Sequence, residues 1–146
     1  MKILIFILSA LIILIIAFLL VTSFLPKTPR AEINGHVFSL DVAETSQEQE
    51  LGLAKYKSIA LDHGMIFIFD QTDYYSFWMK DMKFPIDIIF IRGDKVVDIF
   101  NKVPVWANEN LPVYTTKTKA DKVLEINAGL ANKYSIKIGD TVKLRL

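Results

Sequence analysis

The chain has 146 residues, with 17 Lys and Arg against 16 Asp and Glu, a net charge of +1. That length holds one domain and a short appendage, and the balanced charge offers no basic footprint for nucleic acid. Cysteine is absent, which excludes a disulfide framework, a thiolate nucleophile and a Cys-based zinc site.

From Ile3 to Leu25 the sequence is apolar and uncharged. About 20 such residues in a helix cross a bilayer core of about 30 Å. The run exceeds the h-region of a secretory signal, and TSFLPKTP lacks a small-x-small cleavage site. Residues 1–25 are therefore expected to form one N-terminal transmembrane helix, an uncleaved signal-anchor. The alternative is a cleaved signal and a secreted domain. Flanking Lys2, Lys27 and Arg30 do not fix orientation by charge. The very short N-terminal flank favours a single-pass protein of the cell membrane with its C-terminal domain outside the cytoplasm. Pro26 and Pro29 stop the helix and make residues 26–30 an extended tether. Residues 31–146 form the globular domain, long enough to bury one core.

Asn34-Gly35 is a hairpin turn between AEI and HVFSLDVA, with Val37 expected opposite Ile33. Thr45 and Glu48 form a capping box for a helix over 47–56. Gly52 inside it signals close packing or an early end. In MIFIFD, Met65, Phe67 and Phe69 face one side and Ile66 and Ile68 the other, so this strand is covered on both faces. Tyr75–Met82 reads as the next strand, Pro85–Ile91 as another and Lys95–Phe100 as a fourth, completing a meander. Val103–Lys119 reads as a long loop, of a length that is commonly functional. Lys122–Ile126 is a strand, Asn127 caps a short helix, and Asp140–Leu146 alternates as the last strand. The fold class is mainly β: a compact β-sandwich or partly closed barrel with one or two short helices.

The motifs QELGL (49–53), GMIFIF (64–69), FWMK (77–80), PIDIIF (85–90), LEINAG (124–129) and IKIGDTV (136–142) occur in that order. In this the segment after the tether resembles the domain of unknown function 192 family. The resemblance implies a signal or anchor followed by a compact mainly-β domain outside the cytoplasm, and it supplies no reaction. Asp81-Met82 stands where the family pattern usually has Asn-Thr. The loop VPVWANENLPVY lacks the cysteine pair of many members.

Two charges stand out in the apolar block from Gly64 to Ile91. Lys80 and Asp87 read as an ion pair that fixes strand register; the sharper reading is an anion-binding or acid site tuned by Asp87. Trp78 reads as a core or sandwich-edge aromatic, while Trp106 and Tyr114 on the long loop are better ligand platforms. Glu125 reads as a cap or a lysine partner, with a second role as a carboxylate beside Asp87 in glycosidase-type chemistry. His36 and His63 lack a ligand register, so no metal site and no cofactor is expected. The leading function is a membrane-tethered domain that binds an envelope ligand or protein partner without catalysis. The alternative is a small envelope enzyme acting on polysaccharide through Lys80, Asp87 and Glu125. A pure assembly module is a third reading, to be marked by an exposed apolar patch.

Overall fold

The computed structural model describes residues 2–23, 28–106 and 110–146. In the first of these segments the side chains described are those of residues 7, 8 and 10–20. Pro26 and Lys27 of the expected tether, and residues 107–109 of the long loop, lie outside the described residues. Helix α1 (Lys2–Ser23) carries the apolar N-terminal sequence. Among the described residues no helix is long and apolar enough to cross a membrane, so the expected transmembrane helix is not found there. The described side chains alone fall short of the roughly 20 residues that a bilayer core requires.

Seven strands form one sheet in the order β6-β5-β8-β3-β2-β1-β9. They are β1 (Arg30–Ile33), β2 (His36–Ala43), β3 (His63–Asp73), β5 (Ile86–Arg92), β6 (Lys95–Val103), β8 (Ala120–Asn127) and β9 (Val142–Arg145). β2 and β3 run parallel, and the other neighbours are antiparallel. The sheet curls until its two outer strands approach. The Val142 N–H donates to the Asp94 carbonyl and the Gly139 N–H to the Val96 carbonyl, each at 2.8 Å. The architecture is thus a strongly curled half-barrel, the second of the two forms expected for a mainly-β chain.

Period-2 alternation gives this sheet two apolar faces. One draws residues from all seven strands, among them Ile33, Phe38, Ile66, Ile89, Val96, Leu124 and Val142, and is closed by helix α3 (Leu130–Lys133). The other carries Met65, Phe67, Ile88, Phe90 and Val123. It is covered by helix α2 (Ser46–Leu51), a 3-10 turn (Gly52–Lys55) and a two-stranded ribbon of β4 (Ser76–Trp78) with β7 (Val113–Thr115). The expectation that MIFIFD is covered on both faces holds, and β3 lies inside the sheet.

The local signals appear in the structure. Asn34 and Gly35 have φ of 51° and 79°, the left-handed pair that a tight hairpin needs. The pairing puts Val37 opposite Glu32, and Ile33 opposite His36, one residue from the expected register. The Thr45–Glu48 capping box is present. α2 ends at Leu51, earlier than expected, because Gly52 takes φ 51° and the chain tightens into the 3-10 turn. Gly52 also packs closely, since a Cβ there would meet Phe67 at 3.4 Å.

The long-range signals do not. The expected meander is replaced: β8 lies between β3 and β5, and β4 leaves the sheet for its own ribbon. β8 takes that place because Leu124 and Ile126 fill one face while Val123 lies under the other. Gly64 permits the close approach: a Cβ there would lie 2.5 Å from the Glu125 carbonyl oxygen.

Candidate functional site

Each element over the second face contributes to one cavity of about 350 Å³. β3 supplies Phe67 and Phe69, β4 supplies Phe77 and Trp78, and β8 supplies Glu125. Tyr75, just before β4, stacks on Phe69 with ring centroids 3.7 Å apart, and Phe77 meets Phe67 edge-on at 5.0 Å. The Tyr75 hydroxyl donates to the Gln71 carbonyl at 2.6 Å, which fixes the ring. The Gln49 amide from α2 donates to the Ile68 carbonyl at 2.8 Å and holds the helical wall against β3. The Lys83 ammonium donates to the Ala54 carbonyl at 2.6 Å, strapping the segment after β4 onto the 3-10 turn.

Glu125 forms the floor. It pairs with Met65 on one side and Ile88 on the other, so its side chain shares their apolar face. It is 5% exposed. Among the described residues no donor engages its carboxyl. Among the described residues no buried side-chain oxygen is sealed off without a partner, so the Glu125 oxygens open into the cavity. Burial pushes its carboxyl up to about 8, because an apolar cavity disfavours the charged form. At neutral pH it is therefore mostly a carboxylic acid, which donates as well as accepts.

The sequence-derived candidates separate as follows. Trp78, Lys80 and Glu125 line the same cavity. Trp78 is 53% exposed, so it stands at the mouth and is not a core aromatic. Lys80 is exposed and makes no ion pair among the described residues. The expected Lys80–Asp87 pair does not form. Asp87 pairs with Ile126, one register step from Glu125, so it points to the opposite face and is fully buried there. Its carboxylate accepts backbone N–H bonds from Lys102 (2.6 Å), Gly129 (2.9 Å) and Ala131 (2.8 Å). It thereby serves α3 as the cap that was expected from Asn127. The Asn127 amide instead donates to the carbonyls of Ile59 and Ala60. Glu125 is a mid-strand residue, neither a cap nor a lysine partner. Trp106 is 40% exposed and its indole N–H donates to the Tyr114 hydroxyl at 3.3 Å. Tyr114 lies opposite Phe77 in the ribbon and packs on Phe100. Part of the expected long loop is therefore strand β7, and it braces the ribbon that carries Trp78.

Sequence reasoning passed over Tyr75, Phe69 and Gln49 as cavity residues. The usable signal was the crowding of aromatics in YYSFW, residues 74–78. It also missed a polar clasp on the same face, at the β2–β3 seam. His63 lies between Ser39 Oγ (3.1 Å from Nδ1) and Asp41 (3.4 Å from Nε2). Burial opposes ionisation of Asp41, yet the Tyr56 hydroxyl and the Lys55 ammonium outweigh it and hold the carboxyl below its ordinary range. Both the Ser39 hydroxyl and its N–H bond the Asp62 carbonyl, so this cluster fastens two strands. Among the described residues no three His, Asp or Glu side chains converge as a metal site.

The family model described as "uncharacterized ACR" matches residues 29–144, which is most of the chain. The chain belongs to the domain of unknown function 192 family. A solved structure of a protein of unknown function from Novosphingobium aromaticivorans is 34% identical, covering 78% of this chain and 83% of that one, with a TM-score of 0.72. A second, from Sinorhizobium meliloti, is described as a candidate transcription regulator; it is 27% identical over 81% of this chain and 94% of its own, with a TM-score of 0.73. No curated protein matches the chain.

Proposed function

We propose that the chain is a membrane-tethered domain, held outside the cytoplasm, that binds a ligand in the Glu125 cavity without converting it. The observation that carries the binding reading is the buried, unengaged Glu125 carboxyl under an aromatic wall. A carboxyl there costs stability, and an apolar pocket with one or two convergent polar groups is the usual form of a small-ligand site. Trp78 at the mouth offers a ring face to whatever enters. The net charge of +1 gives no support for carrying the Sinorhizobium protein's regulatory description over to this chain. The enzyme alternative needs Asp87 beside Glu125, and the two lie on opposite faces of the sheet.

The tether rests on α1. Its sequence is apolar on every side, and Ile7, Leu11, Leu14 and Phe18 are all more than half exposed. A helix apolar all round requires an apolar surrounding. The whole chain is expected in the membrane fraction after alkaline carbonate extraction, and a chain lacking residues 1–25 in the soluble fraction. Release of the whole chain by carbonate would refute the anchor.

Ligand-dependent thermal unfolding of the full-length chain tests the site, with glycans, peptides and small amines as probes. A ligand at about 100 times its Kd adds about 2.7 kcal/mol of stability, seen as a rise of several degrees. The rise should vanish in Trp78→Ala and persist in Trp106→Ala. Loss in Trp106→Ala alone would move the site to the β7 loop, and no stabilisation by any probe would sink the binding reading.

A further inference from the structure

We infer that the cavity receives an organic cation, a protonated amine whose head meets the Glu125 carboxylate between the aromatic walls. This rests on the reading of the cavity as a ligand site and specifies its ligand.

Three observations converge. First, Glu125 is the deepest polar group of the cavity, 5% exposed and engaged by no donor among the described residues. A glutamine at that position would offer a hydrogen bond to a neutral ligand without any penalty of ionisation. What a carboxyl supplies beyond that is a negative charge, and a charge in an apolar cavity is useful to a ligand of opposite sign. Second, the walls are rings: Phe67, Phe69, Tyr75, Phe77 and Trp78. Ring faces are electron-rich, attracting ammonium groups and disfavouring anions. Third, among the described residues the cavity has no buried cation. Glu50, Tyr75 and Lys80 are the other titratable groups that line it. Lys80 and Glu50 are both exposed. The Tyr75 hydroxyl is occupied by the Gln71 carbonyl, and burial holds that phenol in its protonated form.

An arriving ammonium draws the proton off Glu125 into solvent and replaces it with an ion pair. The alkyl part of the ligand then lies along Phe77 and Trp78 toward the mouth. The volume of about 350 Å³ accommodates an aminoalkyl chain or one amino-sugar ring.

The test uses the full-length chain in detergent micelles at pH 7. Binding of n-butylamine and of n-butanol, similar in shape, the first cationic and the second neutral, is measured by calorimetry. Nα-acetyl-lysine methylamide and D-glucosamine distinguish a protein lysine from an amino sugar as the source of the amine. We expect butylamine to bind at least ten-fold more tightly than butanol, and Glu125→Gln to erase that preference. Butylamine should also lower the midpoint of the Glu125 carboxyl titration followed by 13C NMR. Butanol binding as tightly as butylamine, or an unaltered preference in Glu125→Gln, overturns the cation assignment and leaves the cavity as a site. Binding of none of the four overturns this inference and the ligand-binding reading together.

Discussion

Glu125→Gln is expected to make the protein more stable at neutral pH, by about 3 kcal/mol. The carboxyl moves from an ordinary value of 4.5 to about 8 on folding. Between those values the folded chain keeps a proton that the unfolded chain has released, so unfolding sheds protons and stability falls as pH rises. Below about 4.5 both states are protonated and the group contributes nothing; above about 8 both are ionised and the loss is complete. Each pH unit within that window removes about 1.4 kcal/mol, which gives about 3 kcal/mol at pH 7. Glutamine is neutral in both states and has no such slope. Thermal unfolding at pH 4.5, 7 and 9 checks this. The two proteins should coincide at the lowest pH and diverge by about 10 °C at pH 7, on the scaling for a domain of this size. Parallel pH profiles, or a variant less stable than the wild type at pH 7, would refute the assignment. A residue that lowers stability in its resting state is the kind retained for what it does with a ligand.

Local chemistry explains what could be read from the sequence. Asn34-Gly35, the Thr45–Glu48 box and the two-faced MIFIFD run each act within a few residues, and each appears in the structure. The strand order depends on where β8 inserts, and its partners β3 and β5 lie over 30 residues upstream. Nothing within LEIN announces that insertion. The adjacent strands of the central block therefore read as a meander, and Lys80 and Asp87 as neighbours. Register then decides the site. Asp87 lies opposite Ile126 and Glu125 opposite Ile88, so one step along β5 sends the two acids to opposite faces. The aromatic wall was legible as residues and not as a cavity, because β4 reaches it only by leaving the sheet to pair with β7. The type of chain, its mainly-β character and the residues Trp78, Lys80 and Glu125 were accessible from sequence. Their convergence, and the departure of Asp87, were not.

Asp87→Ala is expected to cost at least about 3 kcal/mol, a large share of the whole stability of a domain of this size. The side chain is fully buried and receives the N–H groups of Lys102, Gly129 and Ala131. Truncation leaves three donors with no acceptor, each at about 1–3 kcal/mol. Two of them have no easy relief. Lys102 holds φ at 52° beside the last residue of β6, and Gly129 holds φ at 85° at the start of α3. A graded series separates this from simple loss of volume. One carboxylate oxygen serves Lys102 and Gly129, and the other serves Ala131. Asp87→Asn can keep the first oxygen and turns an amide N–H toward Ala131, so it should fall about midway. Denaturant unfolding gives the ranking, and amide exchange at Lys102, Gly129 and Ala131 should quicken together in Asp87→Ala. An alanine variant within 1 kcal/mol of wild type, or exchange that changes at only one of the three amides, would remove Asp87 as the fastener. The contrast with Glu125 is physical. Both acids lie in apolar cores on neighbouring strands, yet one is met by three backbone donors and the other by none. The first stabilises the half-barrel from within. The second leaves its oxygens facing a cavity.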